Sequence, residues 1–64
     1  MPVHLTKAEL LAAKAALERA DAALMQARHT FVGAWIPGVV AVNAALLQVH
    51  YLLAQIAKAL ASKP

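Results

Sequence analysis

Two seven-residue repeats, separated by one cluster of helix breakers, constrain this chain more than any other feature. In the first half Leu10, Leu17, Leu24 and Phe31 recur at that spacing, with Ala13, Ala20 and Ala27 between them. In the second half Val39, Leu46, Leu53 and Leu60 recur in the same way, with Val42, Val49 and Ile56 between them. A sustained heptad spacing keeps one stripe of a helix facing a partner helix, with slight supercoiling. The pattern therefore calls for two helices that meet along these stripes.

The boundaries follow from local chemistry. Thr6-Lys7-Ala8-Glu9 fits a capping box, in which a hydroxyl caps the first turn and a carboxylate three residues on reaches back. The first helix is expected from about residue 7 to 32, fraying near His29 to Val32. The only breaker cluster is Gly33-Ala34-Trp35-Ile36-Pro37-Gly38. Proline disfavours helix in the residue before it and is tolerated in a first helical turn. The second helix is thus expected over about 37–62, with 33–37 as the turn and 1–6 and 63–64 as tails. Near-equal lengths and a short link favour an all-α antiparallel hairpin, one domain over 1–64.

Folding the chain at that turn brings the seams into register. Leu10 comes level with Leu60, Leu17 with Leu53, Leu24 with Leu46, and Phe31 with Val39. The layers between pair Ala13 with Ile56, Ala20 with Val49, and Ala27 with Val42. Each alanine meets a β-branched residue, the large–small interlock that fills a core without voids. A domain-swapped or long parallel pairing would reuse the same seams.

The flanks of the seam differ. One side carries Lys14, Asp21 and Arg28 opposite Ala57, His50 and Asn43, which predicts Asp21 beside His50 and Arg28 beside Asn43. The other side carries Ala16 and Ala23 opposite Ala45, Leu52 and Ala59 and holds no charge. Leu11, Met25, Val40 and Leu47 point away from the seam. In the second helix the polar residues Gln48, Tyr51, Gln55, Lys58 and Ser62 form one narrow wet stripe. A helix dry over most of its circumference is buried centrally or lies in lipid.

Size turns this pattern into an expectation about partners. A chain of 64 residues buries too little surface to be comfortably stable alone, and needs a disulfide, a metal or an oligomer. There is no cysteine, so oligomerisation is the remaining staple. The expected assembly is a dimer forming a four-helix bundle, with Ala16, Ala23, Ala45, Leu52, Ala59, Val40 and Leu47 as the association face. Trp35, at the tip, either folds over Phe31 and Val39 to close the core or serves as a binding anchor; closure is favoured.

The same residues bear on other classes. His29 to Ala57 carries no formally charged residue with histidine neutral, and a membrane span needs about 20 predominantly apolar residues. A span over about 31–56, in an inner-membrane pore-forming or accessory subunit, is the alternative. Pro37 and Gly38 interrupt it, and Asn43, Gln48, His50 and Gln55 are costly in hydrocarbon. The N-terminus lacks a signal-peptide apolar run, which leaves the cytoplasm as the default compartment.

The net charge is +3, but Lys7, Lys14, Arg19, Arg28, Lys58 and Lys63 are dispersed rather than clustered as nucleic-acid binders have them. In size and shape the expected hairpin resembles the small homodimeric plasmid RNA-binding regulators that form four-helix bundles. The tip Trp35-Ile36-Pro37-Gly38 resembles, with the spacing off by one, the Trp-x-Gly turn of secreted helical hairpins. Both are likenesses of shape alone, and an RNA-binding regulator is the lesser alternative.

No catalytic constellation is expected. Glu9 belongs to the cap, Glu18 can pair with Lys14, and Asp21 sits opposite His50. Along a hairpin His4 and His29 lie at opposite ends, so no metal site and no cofactor are expected. The expected function is non-enzymatic: a helical hairpin that self-associates, docks its apolar second helix on a protein partner, or does both, in a scaffold, assembly or regulatory role.

Overall fold

The computed structural model describes residues 4–62; the parts of the expected tails at 1–3 and 63–64 lie outside the described residues. Two helices, α1 (Lys7–Phe31) and α2 (Ile36–Ala61), pack against each other. No strand occurs among the described residues.

α1 starts where the side chains around Thr6 satisfy its free N–H groups. Thr6 is extended, with φ −72° and ψ 163°. Its Oγ1 accepts from the Glu9 N–H at 3.1 Å, and its own N–H donates to Glu9 Oε1 at 2.9 Å. The capping box is therefore complete. Leu5 and Leu10 occupy the positions before the cap and four residues after it, and they line the same groove. That is the placement of a hydrophobic staple, which sets the angle at which the chain enters a helix. Arg28 in the last turn places a positive group near the carbonyl end.

The link is tighter than a loose loop. Val32 has φ −59° and ψ 125°, and Gly33 has φ +80°. The Ala34 N–H donates to the Phe31 carbonyl at 3.0 Å. These values describe a type II turn, whose third residue needs positive φ and so favours glycine. Val32 must be extended to enter it, so α1 stops at Phe31, one residue short of expectation. The Trp35 N–H also reaches the Phe31 carbonyl, at 2.9 Å. Trp35 then serves as the N-cap of α2 without a side-chain hydrogen bond. α2 begins at Ile36, one residue before Pro37, and ends at Ala61 with Ser62 as C-cap. Ser62 closes that end by donating from Oγ to the Lys58 carbonyl at 3.0 Å.

The hairpin measures 47 × 20 × 14 Å. Asp21 reaches His50 and Arg28 reaches Asn43. Moving seven residues forward on α1 matches seven backward on α2, so one antiparallel register satisfies both contacts. Along the contact line Leu10, Val42 and Leu46 are buried. Ala13, Leu17, Ala20, Leu24, Ala27, Phe31, Val39, Val49, Leu53, Ile56 and Leu60 are half-buried. Two helices can enclose only one line of side chains, and even that line stays partly open to water.

Candidate interaction surface

The polar flank is built from facing helix positions. His50 Nε2 lies 2.8 Å from Asp21 Oδ1, both side chains being partly exposed. Arg28 donates from Nη1 to Asn43 Oδ1 at 3.3 Å and from Nη2 to Met25 Sδ at 3.1 Å. Exposed or half-exposed pairs of this kind contribute about 0–1 kcal/mol each, so they select register more than they hold the fold. Lys14 and Glu18 pair at 3.2 Å along α1 itself. Met25, Arg28, Asn43, Leu46, Leu47 and His50 line an open cleft of about 500 Å³ on this flank.

The opposite flank is dry. Ala16, Ala23 and Leu52 are exposed, and Ala45 and Ala59 are half-buried. A shallow groove of about 170 Å³ runs beside Leu52, lined by Leu5, Leu10, Leu52, Gln55, Ile56 and Ala59. Gln55 supplies the only polar side chain among the described residues that line it. Small residues on both helices leave this flank flat, which permits close approach of another helical surface.

Further apolar groups face water. Val40 and Leu47, expected on an association face, are exposed, Leu47 by 71 %. Leu11 and Met25 on α1 are exposed as well. No protein-family model, curated protein or solved structure matches the chain.

At the tip Trp35 packs against Phe31, one of the two residues over which closure was expected. Its ring meets Phe31 edge to face, with centroids 5.1 Å apart and planes at 80°. It also lies against Gly38, where a side chain would overlap the indole at Cε3 and approach Phe31 Cδ2 to 2.8 Å. Trp35 thus closes over the end of the core, yet 54 % of its surface remains exposed. Gly38 is needed here for close approach; Gly33 is needed for its positive φ.

The sites of possible chemistry are dispersed. Among the described residues no three His, Cys, Asp or Glu side chains converge on a point that could hold a metal ion. His4 and His29 are exposed and stand apart from His50. Glu9 is held below the ordinary glutamate pKa, first by the hydrogen bond from the Thr6 backbone N–H and then by the Thr6 side chain. Its charge belongs to the helix cap.

Three features went unread in the sequence. The tail expected over 1–6 contains Leu5, although an apolar residue directly before a capping threonine, with Leu10 four positions past it, is the staple signature. The breaker cluster contains Gly38, although a glycine three residues after a tryptophan at a helix start can seat the ring. The Arg28–Met25 contact had only the three-residue spacing to announce it.

Proposed function

We propose that this chain is a non-enzymatic interaction module whose hairpin pairs with a second copy to form a four-helix bundle in the cytoplasm. The observation that carries the reading is the surface left uncovered. The hairpin exposes 4772 Å². A compact globular protein of its mass exposes roughly 3,900 Å². The excess, about 900 Å² per copy, is the least a partner must cover for the hairpin to match a compact protein of its mass. It is also the right kind of surface, since Val40, Leu47 and Leu52 are exposed and the Leu52 flank carries no charge.

A second copy fits this role well. Its own flank of Ala16, Ala23, Ala45, Leu52 and Ala59 is equally flat and dry, and a two-fold pairing needs one self-complementary patch. Docking of α2 on a different protein would use the same residues.

One observation favours a second reading. An 18-residue stretch of α2 has a mean hydropathy of 1.6, and 17 % of it is buried against α1. A span over about 31–56 would also hide that surface.

Sizing of the full chain in plain buffer, by chromatography with light scattering, tests both. The expected result is a dimer, and Leu52→Glu is expected to shift it to monomer while helicity is kept. A monodisperse monomer at all concentrations overturns the assembly reading. Recovery only with detergent transfers the apolar surface of α2 to a membrane. Nucleic-acid retention with a steep salt dependence would revive the RNA-binding alternative.

A further inference from the structure

The tip of the hairpin is chemically unlike the rest of the molecule. Val32, Trp35 and Ile36 lie within five residues and are 63 %, 54 % and 67 % exposed. Pro37 beside them is exposed too. The turn projects these groups at one end of a molecule 47 Å long. The long flanks proposed for self-association run along the sides, and Val32, Trp35 and Ile36 are not among the residues of that face.

Charge is distributed along the same axis. No Asp or Glu follows Asp21 in the chain. Asp21 is ten residues before Phe31, roughly 15 Å down the helix, and is engaged by His50. The formal charge closest to the tip is Arg28, one turn below Phe31. The remaining formal charges of the described residues lie well down the helices, and the chain as a whole is +3. An apolar end with an exposed indole, one half-buried arginine behind it that also reaches Asn43 and Met25, and no nearby carboxylate matches an anionic lipid surface in both respects. Apolar side chains enter the boundary between headgroups and acyl chains, tryptophan settles at headgroup level, and the arginine meets phosphate.

We propose that the tip formed by Val32, Trp35 and Ile36 docks peripherally on an anionic lipid bilayer, with Arg28 at the headgroups and α2 not crossing the membrane. The docking is reversible, because three side chains and one cation make a small footprint compared with a spanning helix.

The chain carries one tryptophan, so the probe is already at the site. The full-length protein is mixed with vesicles of phosphatidylcholine alone or of phosphatidylcholine with phosphatidylglycerol. The expected result is a blue shift of Trp35 emission with the anionic vesicles, reversed by high salt. Ile36→Ser and Val32→Ser are each expected to weaken partitioning by about tenfold. Tyr51→Ser, roughly 22 Å further along α2, is expected to leave it unchanged within about twofold. Both Ile36 and Val32 are exposed, so neither change threatens the fold, and circular dichroism checks this. The proposal is overturned by absence of a shift with either vesicle, or by equal loss in Tyr51→Ser, which would lay α2 in the lipid. It is also overturned by binding that resists a high-salt wash, or by emission already blue and concentration-dependent in buffer, which would give the tip to a second copy. Sizing without lipid reads the self-association of the flanks separately.

Discussion

At the scale of single residues, two glycines and one threonine do the most. Gly38 lies beneath the Trp35 ring and beside Phe31. Adding a methyl there gains up to about 1 kcal/mol of helix propensity but overpacks a site where such insertions cost about 1–3 kcal/mol. Gly38→Ala is therefore expected to lower stability by about 1 kcal/mol, with Trp35 displaced outward. Thermal denaturation and a red shift of tryptophan emission check both halves. Gly33→Ala fails for a different reason. Nothing obstructs its Cβ, but φ +80° is the left-handed region, and the expected loss is about 1 kcal/mol of turn stability.

Glu9 sets a pH dependence whose sign follows from its lowered pKa. A carboxyl with a depressed folded pKa contributes fully above its unfolded value, about 4.3. That contribution is lost as pH falls through the lower folded value. Helicity at the start of α1 is expected to be flat above about pH 5 and to decline below it. Glu9→Gln keeps the reaching-back geometry of the box while removing the titration. Loss of the acid-side decline in that variant, followed by circular dichroism, is the check.

At the scale of elements, seam and flank residues should behave in opposite ways. Leu46 is buried between the helices, and truncation of such a leucine costs about 2–5 kcal/mol. A single core line of this length has little to spare, so Leu46→Ala is expected to leave the chain largely unfolded at room temperature. Asp21→Ala removes one partner of a half-exposed contact and is expected to change stability by less than about 1 kcal/mol. Urea titration of both variants separates the two classes. Comparable losses would mean that the His50–Asp21 contact holds the hairpin together.

Much of the element scale was legible in the sequence because it depends on neighbours a few residues apart. The capping box at Thr6 and Glu9, the heptad stripes and the breaker cluster are all local, and the helix ends came within one residue of expectation. The one-residue differences on either side of the turn have a cause: the type II turn requires an extended Val32, and Trp35 rather than Ile36 takes the N-cap. The Asp21–His50 and Arg28–Asn43 contacts could be read across the turn because heptads convert sequence distance into register. The seat of Trp35 on Gly38 could not, since it depends on the ring folding back along its own helix. The groove at Leu5 needed the tail to be recognised as a staple. Neither feature shifts the periodic pattern on which the reading relied.

At the scale of the whole molecule, the argument is about area. Two hairpins apart expose about twice 4772 Å², whereas a compact globular protein of twice the mass exposes roughly 6,500 Å². Closing that gap means burying about 3,000 Å² in total, within the range of roughly 2,000–5,000 Å² typical of obligate homodimers. The stability of such dimers depends on protomer concentration. The thermal midpoint of this chain is accordingly expected to rise with protein concentration, and to do so in the wild-type sequence but not in Leu52→Glu. Leu52 forms one wall of the groove beside Leu10 and Ile56, so a carboxylate there would have to be buried unpaired in the interface, which is strongly unfavourable. In the isolated hairpin the same carboxylate stays in water at an exposed position and costs little. Melting curves at several concentrations decide the matter: a midpoint that does not move would mean that the two helices, with their single half-open line of core, are sufficient by themselves.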